Sequence, residues 1–100
     1  MAIVEVTIFP LGTNSTSVSQ YVAGIHKILE KQDKIKYSLT PMSTILEGDL
    51  DEIFPLIRKM QESVFNQGAQ RVETNIKIDD RRDKKSTMEQ KIHSVKSKLD

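Results

Sequence analysis

The sequence has no cysteine. That excludes a disulfide scaffold, a thiolate metal site and a cysteine nucleophile, and it fits a cytoplasmic protein. It also has no excess of charge of either sign. Fifteen basic residues against 14 acidic ones leave a net charge of +1, which argues against a nucleic-acid stripe or a polybasic membrane anchor. No apolar run approaches the roughly 20 residues that span a bilayer. The opening Ile-Val-Glu-Val-Thr-Ile-Phe lacks a basic lead and a small-residue cleavage site, so no secretory signal is expected.

Residues for chemistry are equally scarce. His26 and His93 each stand alone on a predicted helix, off its apolar stripe, and read as surface residues; no metal site is expected. Neither is placed near a serine or threonine as a base would be. Residues 11–14 contain one glycine, and neither G-x-G-x-x-G nor G-x-x-x-x-G-K occurs. Glu5 and Glu47 suit acceptance from a ligand's amino group better than acid–base work. Arg81 and Arg82 sit in a mixed-sign run with Asp79, Asp80 and Asp83, which reads as solvated charge. No cofactor is expected, and the chain does not read as an enzyme.

What is present is periodicity. Residues 3–9 are a β-branched run ended by Pro10, with apolar residues on both faces, so a central strand. Ser17 and Gln20 have capping-box spacing ahead of a stripe through Val18, Tyr21, Val22, Ile25, Ile28 and Leu29, predicting a helix over 17–31. Residues 35–39 alternate as a half-buried strand. Thr40-Pro41 interrupts it, because proline cannot donate to a ladder. Residues 42–47 resume as a strand whose two faces are equally mixed, so its register stays open. Asp49 caps a helix over 50–67, in which Pro55 implies a late or irregular start. Gly68 suits the position just past its end. Residues 72–78 alternate clearly. A box at Ser86 and Glu89 predicts a last helix over 87–98, with a thin stripe of Met88, Ile92, Val95 and Leu99.

The order β-α-β-β-α-β plus a helix is the ferredoxin-like split β-α-β, an α+β class in one domain over residues 1–100. Both helices then cover one face of a four-stranded antiparallel sheet, with the first and third strands central. The other face carries Ile3 and Phe9 but also Glu5, Thr7 and Asn75. It needs a partner or a ligand, and a chain with so thin a core is expected to oligomerise. RNA recognition by such a sheet uses stacked aromatics. Phe9 alone is offered, so no nucleic acid is expected.

Several segments resemble one family. They are Pro10-Leu-Gly12-Thr13, Ser17-Val-Ser-Gln-Tyr21-Val22, Tyr37-x-Leu-Thr-Pro41-Met42-x-Thr44, Glu47-Gly48, Gly68-Ala-x-Arg71-Val72 and Ile78-Asp-Asp-Arg81. Together they resemble the thiamine-binding, YkoF-like family of small proteins, over residues 3–95. The resemblance implies a cytoplasmic, non-enzymatic binder of thiamine or a hydroxymethyl-pyrimidine. It also implies homodimers joined through sheets and assembled into homotetramers. Glu5, Thr7, Tyr37, Thr44, Glu47 and Asn75 offer the groups such a ligand wants, although Thr44 and Glu47 cannot share a face of a regular strand. The family commonly has glycine where Ser43 stands; a side chain there is expected to narrow the pocket or shift its register. The alternative is an interaction module whose open sheet face serves only assembly.

Overall fold

The computed structural model describes residues 1–99. Strand β1 (Ala2–Pro10) is its axis. It pairs with β4 (Val72–Asp80) over its whole length, from Ala2 opposite Asp80 to Pro10 opposite Val72. On its other side it pairs with β3 (Thr44–Gly48), from Ala2 opposite Gly48 to Val6 opposite Thr44. Strand β2 (Lys36–Leu39) pairs with the outer side of β3. The order is β2-β3-β1-β4, with every pairing antiparallel. This is the α+β ferredoxin-like sheet with the first and third strands central.

Helices α1 (Ser19–Glu30) and α2 (Leu50–Asn66) cover one face. Val4, Val6, Ile8 and Leu46 from the sheet meet Ile25 and Leu29 of α1 and Ile53, Ile57, Met60 and Val64 of α2 in one core. Period two on the strands and period 3.6 on the helices deliver those residues to a common layer.

The element ends differ from the sequence reading where side chains chose among local partners. Helix α1 starts at Ser19. Its N-cap is Val18, with no side-chain cap, and the Ser17 hydroxyl lies 3.2 Å from Ser19 Oγ instead of on a backbone N–H. Strand β3 starts at Thr44, not 42, because residues 40–43 fold into a turn. Helix α2 is unbroken from Leu50 past Pro55, with Asp49 accepting from the Asp51 N–H at 2.9 Å. Pro55 therefore sits inside the helix without the N–H that an interior residue donates. Gly68, with φ of +106°, ends it in the left-handed conformation that suits glycine.

Strand β2 starts at Lys36, after a loop bracketed by one side chain. Gln32 Oε1 accepts from the Ile35 N–H at 2.8 Å, and its Nε2 donates to the Ile35 carbonyl at 2.9 Å. Helix α3 (Met88–Leu99) is capped by Thr87, not Ser86. The Gln90 N–H donates to Thr87 Oγ1 at 3.0 Å and the Thr87 N–H to Gln90 Oε1 at 3.3 Å. No residue of α3 is buried.

Candidate functional site: a cavity at an unpaired strand edge

The site begins with the Thr-Pro step. The Thr40 hydroxyl accepts from the N–H groups of Met42 (3.3 Å) and Ser43 (3.0 Å), and its own proton points to the Ser43 carbonyl at 2.9 Å. The Thr40 N–H donates to that same carbonyl at 2.9 Å. Threonine organises turns through such bonds, and here the result takes the chain out of the sheet. The β1–β3 ladder stops at Val6 and Thr44, whereas the β1–β4 ladder continues to Pro10. Residues 7–9 of β1 are thus left without a strand partner on the β3 side.

A cavity of about 390 Å³ occupies the space this opens. Val18, Val22 and Ile25 form its helical wall, and residues 39–43 form the opposite one. Val6, Thr44 and Met60 also line it, together with residues 7–9. No charged side chain lines it. The Thr44 side chain is buried, at 8% exposure, and makes no hydrogen bond among the described residues. The cavity thus offers apolar walls, one uncommitted hydroxyl and a length of strand edge. That suits a flat, uncharged heterocycle better than an ion.

The six residues expected to bind a ligand do not form one constellation. Thr7 and Thr44 line the cavity. Glu5, Thr7 and Asn75 line a shallow hollow of about 140 Å³ on the open face of the sheet. Glu5 also accepts from the Ser43 hydroxyl at 3.0 Å. Tyr37 lies opposite Leu46 in the register, so it belongs to the helix side. There it meets His26 edge-on, with ring centroids 5.5 Å apart at 88°. His26 is consequently half-buried rather than a surface residue. Glu47 faces away from the helices and is 4% exposed. Its carboxylate accepts from the Met88 N–H at 2.9 Å, at the start of α3.

The residues that sequence reasoning missed are the apolar wall (Val18, Val22, Ile25 and Met60) and the backbone of residues 7–9. The wall residues look like ordinary core from their spacing. The backbone edge was legible in principle: a Thr-Pro step that interrupts one strand must strand its neighbour. Among the described residues there is no group of three or more histidine, aspartate or glutamate side chains placed to hold a metal ion. No helix among them is long and apolar enough to cross a membrane.

Comparison with known proteins agrees with this architecture. The chain is 55% identical over 102 residues to the UPF0045 protein YqgV of Bacillus subtilis, covering 99% of this chain and 98% of that one. It is 43% identical to a UPF0045 protein of Methanothermobacter thermautotrophicus, covering 99% and 100%. A crystal structure of a hypothetical protein from Methanocaldococcus jannaschii superposes with a TM-score of 0.85 at 39% identity, covering 94% of each chain. A proposed thiamine biosynthesis/salvage protein from Thermotoga maritima shares the fold, with a TM-score of 0.76 at 19% identity over 94% of this chain and 97% of that one. A family model described as thiamine-binding protein matches residues 4–96. The chain therefore belongs to the thiamine-binding protein family.

Proposed function

We propose that the chain is a non-enzymatic binding protein for thiamine or a related hydroxymethyl-pyrimidine, taking the pyrimidine into the cavity beside the hairpin. The unpaired edge of residues 7–9 carries this reading. The Leu11 N–H donates to the Arg71 carbonyl directly opposite, so the odd-numbered residues of β1 turn their N–H and C=O to β4 and Ile8 turns its own N–H and C=O, side by side, to the cavity. An aminopyrimidine presents an amino donor next to a ring-nitrogen acceptor, so its edge matches that pair. The free Thr44 hydroxyl supplies a further polar contact, and the aliphatic walls cover the ring faces. A volume of about 390 Å³ lies in the range of small-molecule sites. The thiazolium cation stays at the mouth, because an uncharged apolar cavity would strip its hydration without replacing it.

The test is thermal stability with added ligand. Thiamine at ten times its Kd raises stability by about 1.4 kcal/mol, which moves the melting temperature of a chain this size by about 6–11 °C. Thr44→Val keeps the shape, removes the hydroxyl and reduces that shift. No shift at millimolar thiamine or free pyrimidine rejects the ligand.

The same reading has the protein working in the cytoplasm as a homodimer that pairs into a homotetramer. Two observations favour self-association. Ile92, Val95 and Leu99 of α3 are 56%, 60% and 78% exposed along one stripe. Charge is also segregated: residues 81–99 hold seven basic and two acidic side chains (net +5), while residues 1–80 hold eight and eleven (net −3). These same features favour the second reading, an interaction module whose open surfaces serve assembly alone. Self-association without any ligand-induced shift would select it.

A further inference from the structure

We infer that Ser43 and Glu5 form a latch that holds the hairpin wall of the cavity against β1 and so sets how closely the cavity fits its ligand. The inference rests on the binding reading above for its functional half and on geometry for its structural half.

The turn over residues 40–43 is well bonded to itself. The Thr40 N–H and hydroxyl reach the Ser43 carbonyl, and the Met42 and Ser43 N–H groups reach back to Thr40 Oγ1. Those bonds shape the turn but tie it to nothing else. Directly before it, Leu39 belongs to the short outer strand; directly after it, Thr44 is the last residue of β3 paired to β1. Among the described residues, one side-chain hydrogen bond connects the turn to another part of the chain. The Ser43 hydroxyl donates to Glu5 Oε2 at 3.0 Å across 38 residues. A carboxylate acceptor makes that bond stronger than a neutral one, while its exposure to water tempers it.

The position of this bond gives it leverage. It lies just past the end of the β1–β3 ladder, where main-chain bonding stops and the cavity begins. Beyond it the turn carries Met42, 85% exposed, at the rim of the cavity. With the latch closed, the wall from residue 39 to residue 43 is fixed before a ligand arrives, and a planar ring meets a preformed slot. With the latch open, the wall must be ordered at each binding event. Ser43 and Glu5 are thus positioning residues: neither needs to touch the ligand.

The experiment combines methyl relaxation of Met42, measured without ligand, with titration of thiamine and free hydroxymethyl-pyrimidine. Ser43→Ala and Glu5→Ala are each expected to lower the Met42 methyl order parameter. Each weakens pyrimidine binding about three- to tenfold, mainly through faster dissociation. The double variant is no worse than Ser43→Ala alone, which loses the bond to Glu5 and also the 3.2 Å contact of Ser43 Oγ with Thr40 Oγ1. Glu5→Gln, whose amide oxygen still accepts, retains most of the wild-type behaviour. An unchanged Met42 methyl in Ser43→Ala overturns the latch whatever the ligand does, and so do additive losses in the double variant. A loosened methyl with unchanged affinity overturns its role in fit. If the wild type takes up neither probe but Met42 loosens in the variants, the latch stands and the binding reading falls.

Discussion

Glu47 and Thr44 show how one residue's direction decides its role. Both are polar, both are buried, and they lie three positions apart on β3. Thr44 faces the helices and leaves its hydroxyl free beside the cavity. Glu47 faces the other way and is committed to the Met88 N–H, where a carboxylate also complements the positive end of α3. Glu47→Ala is therefore expected to cost about 1–3 kcal/mol and to fray α3, while Glu47→Gln keeps an acceptor and loses less. Urea unfolding, with helix content followed by circular dichroism, distinguishes them. Two glycines make a contrasting pair. A Cβ on Gly24 would come within 2.5 Å of Gln67 Nε2, the tip of an exposed side chain that can swing away. Gly24→Ala then gains up to about 1 kcal/mol of helix propensity. A Cβ on Gly48 would meet Cδ1 of the buried Ile35 at the same distance. Gly48→Ala is expected to destabilise by about 1–3 kcal/mol through overpacking. Melting curves of the two variants should move in opposite directions.

Among the elements, α3 has the fewest anchors. None of its own residues is buried, and it is held by Glu47 at its start and by Lys91, whose ammonium lies 2.7 Å from Asp79 Oδ2 on β4. The hydrogen bond and charge of Lys91 hold the Asp79 carboxyl below its ordinary 3.8. In the preceding link, the Arg81 guanidinium grips Asp83 with two bonds of 2.6 and 2.9 Å and lowers that carboxyl to about 2. A carboxyl depressed on folding contributes its stabilisation in full above its unfolded value and loses it as pH falls through the folded one. Acid should therefore release the link and α3 between about pH 4 and pH 2, ahead of the sheet if the sheet survives that far. Amide exchange resolved by residue checks this, and Lys91→Ala should loosen α3 already at neutral pH. The same element shows why its start was misread by one position. Ser86 and Thr87 each have a capping partner three residues on, Glu89 and Gln90, so local spacing gives two equivalent boxes. The Glu47 bond to Met88, spanning 41 residues, goes with the second.

For the whole molecule, the radius of gyration is 15.0 Å, against about 13 Å for a compact chain of 100 residues. None of the residues of α3 is buried, and its aliphatic stripe of Ile92, Val95 and Leu99 is exposed. If the stripe is covered by a second copy, Val95→Asp should shift native mass spectra towards smaller species while the sheet and core keep their melting transition.

The order of strands and helices, the central place of the first and third strands, and the family were readable from residue spacing and motifs. Alternation and helical stripes are local properties, and the topology left few ways to combine them. The capped start at Asp49 and the stop at Gly68 were readable for the same reason. What only the tertiary structure decided is which way residues 42–47 face. Their two sets of side chains are equally mixed, so no local pattern prefers one register. The choice rests on partners far along the chain: Val6 opposite Thr44, Glu5 against Ser43, and the start of α3 against Glu47. The cavity follows from the same cause. It exists because one ladder of β1 ends four residues before the other, and the length of a ladder is settled between strands rather than within one.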